Sequence, residues 1–142
     1  MHTNVLLLLS LLSFSVVLAA SENQVRLAFL LSNNNSNDKL YFQGCTFTRG
    51  YLDPAPSDLL PRSTDAFTFV ASSSSGQIEC LYITKTVLRQ TKHEVRITAF
   101  YDSSGFKNHY CWFNKAGSGN KTRCPSELEA SSWLKVKVST QS

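Results

Sequence analysis

Few residues of this chain could support acid–base or phosphate chemistry. His93, Glu94, Arg96 and His109 are the types that a small secreted ribonuclease uses as base, acid and cation for a phosphorane. Their spacing opposes that use. His93 and Glu94 are neighbours, so on a strand they point to opposite faces. Arg96 would have to share a concave face with His109. The flanking segments, Lys92-His93-Glu94-Val95 and Asn108-His109-Tyr110, do not match the motifs of microbial ribonucleases. A ribonuclease therefore stands as the enzymatic alternative to two exposed, non-catalytic histidines. Gly117-Ser118-Gly119-Asn120-Lys121-Thr122 departs from the phosphate-binding loop, which needs Gly directly before Lys and a strand-to-helix setting. The chain lacks the Gly-x-Ser-x-Gly elbow of a serine hydrolase. It also lacks a Cys-x-x-Cys pair, and His93 and His109 have no ligand spacing, so no metal and no cofactor is expected.

Binding has better candidates than catalysis. Tyr110, Trp112 and Trp133 suit a membrane interface or a sugar platform if exposed, and core packing if buried. Lys107 and Arg96 lie in the same half of the chain. That half is basic: residues 85–142 hold ten Lys+Arg and four Asp+Glu, whereas residues 21–84 hold four and six. The overall charge of +4 is thus a −2 half joined to a +6 half. Such a split favours an anionic partner, a membrane lipid or a cell-surface glycan, against the plainer reading of a solvated strand face. Nucleic acid is not the expected partner.

The elements that must position these residues are strands. Val25, Leu27 and Phe29 alternate with polar or small residues, and Leu40 to Phe47 forms a second run. Phe67 and Phe69 mark a third strand and Ile78 to Ile83 a fourth. Val95 to Tyr101 is a fifth, Lys107 to Phe113 a sixth, and Leu134, Val136 and Val138 a last one. Turn-forming residues separate them at 33–38, 72–76, 102–105 and 117–120. Lys85, Arg89, Lys92 and Arg96 have helical spacing, but Thr84, Thr86, Val87 and Thr91 favour strand–turn–strand. Ser126-Glu127-Leu128-Glu129 has the form of a capping box and suggests one helical turn. About seven short strands without a long helix indicate an all-β antiparallel sandwich.

Residues 5–18 are fourteen uncharged, mostly apolar residues followed by Ala19-Ala20 and a polar stretch. Such a helix spans roughly 21 Å, too short for a bilayer core of about 30 Å. This is the layout of a signal peptide over 1–20, with 21–142 as one secreted, extracellular domain. Export makes the four cysteines two expected disulfides. Three pairings are possible; the preferred one joins Cys111 to Cys124, closing a short Gly- and Asn-bearing segment, and Cys45 to Cys80, tying two strands across a proline-bearing loop. Asn34 and Asn120 head glycosylation sequons, which suggests surface loops.

The stretch Gly50-Tyr51-Leu52-Asp53-Pro54-Ala55-Pro56-Ser57-Asp58-Leu59-Leu60-Pro61-Arg62-Ser63, followed by Phe67, Phe69, Ser75-Gly76-Gln77-Ile78 and Tyr82, resembles the middle of aegerolysin-like and related cytolysin β-sandwiches. Pro56, Leu59, Pro61 and Ser63 carry the spacing, and Arg62 stands where that family usually has glycine. The resemblance covers about residues 24–84. It implies a β-sandwich that binds particular membrane lipids, sometimes with a pore-forming partner. The leading expectation is therefore a secreted, non-enzymatic binding protein of the membrane-lipid-binding, toxin-like or effector kind. A cell-surface carbohydrate- or protein-binding module is the alternative.

Overall fold

Alternating residues produce the strands, and their parity decides which side chains meet. A computed structural model describes residues 24–85, 92–115, 121–124 and 133–141. Among them run β1 (Val25–Asn33), β2 (Leu40–Phe47), β3 (Gly50–Leu52), β4 (Ser63–Ala71), β5 (Gly76–Lys85), β6 (Lys92–Asp102), β7 (Gly105–Lys115), β8 (Thr122–Arg123) and β9 (Leu134–Thr140). They form two antiparallel sheets, ordered β3-β4-β1-β9 and β2-β5-β6-β7-β8. The sandwich expected from the alternation is what the chain builds. β5 ends at Lys85 and β6 begins at Lys92, while Thr86, Val87, Arg89 and Thr91, on which the strand–turn–strand reading rests, lie outside the described residues. The leader 1–20, Asn120, the segment 117–120 and the capping box at 126–129 also lie outside them.

Between the sheets lie the inward rows. Val25, Leu27, Phe29 and Leu31 of β1 are buried beside Phe67, Phe69 and Ala71 of β4. They face Ile78, Cys80 and Tyr82 of β5 and Val95, Ile97, Ala99 and Tyr101 of β6. Phe69 spans the interface, with Phe47 at 4.9 Å and Tyr101 at 5.9 Å between ring centroids. The fully buried Val, Leu, Ile and Phe side chains of these rows contribute roughly 1.5–3 kcal/mol each.

Two bulges correct the parity where the sequence breaks it. In β2 the apolar residues fall at Leu40 and Phe42, then at Cys45 and Phe47, an interval of three. Phe42 pairs with Tyr82 and Gly44 with Leu81, so Gln43 is left over and the later residues turn inward again. In β7, Phe106 pairs with Tyr101 and Asn108 with Phe100, which leaves Lys107 over.

Both expected disulfides are formed. Cys45–Cys80 joins directly paired residues of β2 and β5. Cys111–Cys124 joins β7 to the residue after β8, and the Cys124 amide donates to the Cys111 carbonyl at 2.9 Å. The sandwich also closes along one flank, where β7 meets β9. The Phe106 amide donates to Thr140 Oγ1 at 2.8 Å. Gly105, with a φ of 114°, leaves room for Thr140 that a Cβ would fill.

The proline-bearing loop crosses from β3 to β4 at the end of the sandwich. Pro56 is buried within it. Leu59 bridges to Leu40 through reciprocal backbone hydrogen bonds of 2.8 and 2.9 Å. Arg62 takes a φ of 55°, the left-handed conformation that glycine adopts at least cost.

Candidate functional site

Three of the five candidate binding residues gather on the outer face of the five-stranded sheet. In β6 the buried Val95, Ile97 and Ala99 force Glu94, Arg96, Thr98 and Phe100 outward. Cross-strand register then sets a row of Leu81, Arg96, Trp112 and Arg123, with Glu79, Thr98 and Tyr110 in the next row. The Arg123 guanidinium lies 5.8 Å from the Trp112 ring and 5.9 Å from the Tyr110 ring, within cation–π range. Phe100 meets Tyr110 edge-on at 5.8 Å, and Asn108 Nδ2 donates to the Tyr110 hydroxyl at 3.2 Å. Tyr110 remains 38% exposed, while Phe100 and Trp112 beside it are half-buried.

Arg96 has its charge committed. Its Nη1 donates to Glu79 Oε1 at 2.8 Å and its Nη2 to Glu94 Oε2 at 3.2 Å. The bond to Glu79 pushes the guanidinium further above its ordinary pKa, so it stays charged within a local balance of opposite charges. Arg123, which composition and spacing did not single out, is the cation that accompanies Tyr110 and Trp112. Its signal was available in the sequence, since the Cys111–Cys124 closure brings residue 123 back beside residue 112.

Lys107 and Trp133 sit elsewhere. Lys107 occupies the β7 bulge, with its Nζ 3.3 Å from Asp102 Oδ2 and 2.7 Å from Ser104 Oγ. Ser104, through its hydroxyl and then its amide, holds the Asp102 carboxyl below its ordinary pKa. Trp133 is at the other end of the sandwich, half-buried and edge-on to Phe113 at 5.5 Å. There it lines a cleft of about 170 Å³ with Asn33, Asn35, Asp38, Leu40, Thr84, His93 and Phe113.

The groups required for a ribonuclease do not converge. Arg96 faces outward, whereas His109 lies opposite the inward Ala99. His93 pairs with Lys115 and His109 with Ala99, six positions apart on the ladder, so roughly 20 Å separates them. His93 stacks on Phe113 at 4.8 Å, and the ring of His109 lies 5.9 Å from that of Phe106.

Charge follows the fold more sharply than it follows the sequence halves. The strands β7, β8 and β9 contain Lys107, Lys115, Arg123, Lys135 and Lys137 and no Asp or Glu. These three strands form one flank of the sandwich, since β9 ends its sheet beside β7. The opposite flank, from β3 through β4, carries Asp53, Asp58 and Asp65 against Arg62, with Arg49 directly before β3 and Lys39 3.5 Å from Asp58.

No family model, curated protein or solved structure matches the chain.

Proposed function

We propose that this chain is a secreted, non-catalytic binding protein that docks on the anionic surface of a membrane through its β7–β8–β9 flank. The observation that carries this reading is that β7, β8 and β9 hold no carboxylate while Arg123, Lys135 and Lys137 stand exposed on β8 and β9. Cations near an anionic bilayer contribute about 1 kcal/mol each. Lys135 and Lys137 project from β9, and Arg123 from β8, so the flank offers positive charge from both sheets. Trp112 and Tyr110 supply amphipathic rings of the kind that settle at headgroup level. Two disulfides fit an extracellular protein, and a leader over residues 1–20 would deliver it there. Asn34, which heads a glycosylation sequon, is exposed.

Co-sedimentation with phosphatidylcholine vesicles, with and without phosphatidylserine, tests the reading. Binding is expected only to the phosphatidylserine vesicles and should fall as salt rises. Replacing Lys135 and Lys137 by Gln should weaken it by about tenfold or more, from roughly 2 kcal/mol of lost attraction. Failure to bind anionic vesicles at low salt would overturn the proposal. Retention on heparin without vesicle binding would assign the flank to acidic glycans instead.

A further inference from the structure

The cleft at the Trp133 end is independent of the basic flank and has a chemistry of its own. Strand parity builds it. In β1 the inward positions run Val25, Leu27, Phe29, Leu31 and then Asn33, so an amide stands where a fifth apolar side chain would continue the core. Asn33 is 1% exposed and fully engaged. Its Nδ2 donates to the carbonyls of Asp38 at 2.7 Å and Leu59 at 3.2 Å, and its Oδ1 accepts from the Asn35 amide at 3.1 Å. Asn33 thereby fixes the connection between β1 and β2 over the cleft. Asn35 continues the brace: its Oδ1 accepts from the amides of Asn37 and Asp38, and its Nδ2 donates to Asp38 Oδ2 at 3.1 Å.

Asp38 is left with acceptor capacity. A carboxylate offers about four lone-pair sites, and Asn35 Nδ2 uses one of them. On the facing sheet, Thr84 lines the floor and is 6% exposed. Its hydroxyl has no hydrogen-bond partner among the described residues. A buried hydroxyl without a partner costs stability unless something else satisfies it. His93 adds ring nitrogens, and Trp133 with Phe113 adds an apolar wall. The volume, about 170 Å³, is close to the roughly 150 Å³ cavity that admits one benzene molecule.

From this set we infer that the cleft binds a single neutral sugar ring. A pyranose presents hydroxyls that both donate and accept around its edge and C–H groups on its faces. The cleft presents a carboxylate acceptor, imidazole nitrogens and aromatic carbon, with the unpartnered Thr84 hydroxyl buried at its floor. A quaternary ammonium fits the arrangement less well. It needs open aromatic faces, and one face of Phe113 is already covered by His93 at an interplanar angle of 12°.

The test uses the full mature chain carrying Trp112→Phe, which leaves Trp133 as its one tryptophan. Methyl glycosides of glucose, galactose, mannose and N-acetylglucosamine are titrated while tryptophan emission is followed. A saturable change with at least one of them is expected. Asp38→Asn should weaken it about tenfold or more, as befits a lost hydrogen bond to a charged group. Thermal melting and the ligand-free emission of the variant confirm that its fold is kept, and His93→Gln serves as a second probe should Asp38→Asn fail to fold. A flat response to every glycoside would overturn the inference. So would a saturable response to tetramethylammonium alone, or undiminished glycoside binding in the folded variants. Loss of vesicle binding with glycoside binding intact would leave this inference standing and remove the membrane proposal alone.

Discussion

Single residues show where the chain departs from the best choice for its core. Tyr82 is 1% exposed, packs against Phe42 at 5.4 Å and has no hydrogen-bond partner for its hydroxyl among the described residues. Burial first, then the charges of Asp65 and Asp58, push the phenol well above its ordinary pKa. The folded state therefore holds this proton at a pH where the unfolded chain releases it. Stability from this group is complete below the unfolded value of about 10 and declines as pH rises above it. Tyr82→Phe removes both the unpartnered hydroxyl and the titration. Denaturant unfolding at neutral pH should show equal or higher stability, by up to about 1 kcal/mol. The loss of stability between neutral and strongly alkaline pH should shrink relative to the parent; an unchanged alkaline decline would refute this reading of Tyr82.

At the level of elements, the long strands were legible in the sequence because alternation over five or more residues has one interpretation. Val95, Ile97, Ala99 and Tyr101 mark β6 in this way. The strands β3 and β8, of three and two residues, are too short to show a period. Tertiary contacts define them: β3 pairs along the end of β4, and β8 follows from the Cys111–Cys124 closure. The bulge at Gln43 was written as a three-residue interval between Phe42 and Cys45, but its location needed the partner strand. The outer aromatic face was half-legible. Parity places Tyr110 and Trp112 together, yet nothing local showed that Arg96 would be bound by Glu79 and Glu94. The cleft was harder to see, because its walls come from residues as far apart as Asn33 and Trp133. One signal was present, the polar Asn33 at an inward position. Replacing Cys111 and Cys124 by Ala should lower stability by about 3 kcal/mol, the loop entropy for a separation of 13 residues. It should also weaken vesicle binding, since it frees Arg123 from Trp112 and Tyr110; full binding in a folded double variant would separate β8 from the docking surface.

For the whole molecule, topology turns a charge imbalance along the chain into one across the sandwich. Residues from β7 and β9 are distant in sequence, but the two strands lie together where the sheets close, which sets the exposed Lys135 and Lys137 of β9 on the same flank as Arg123 of β8. The β3–β4 flank on the other side balances its carboxylates with Arg49, Arg62 and Lys39, so the excess of positive charge lies on one side and orients the protein in the field of a charged surface. Arg26 and Gln141 meet at the end of the sandwich away from the cleft, where the Gln141 backbone amide donates to the Arg26 carbonyl at 2.9 Å. The basic flank and the cleft are thus separate features of one scaffold. The most direct measurement of the docking orientation is quenching of Trp112 by brominated lipid. A Trp133→Phe protein, in which Trp112 is the one tryptophan, is mixed with phosphatidylserine vesicles containing lipid brominated near the headgroup. Strong quenching of Trp112 that disappears at high salt is expected, while vesicle binding with Trp112 emission unquenched would contradict docking through this flank.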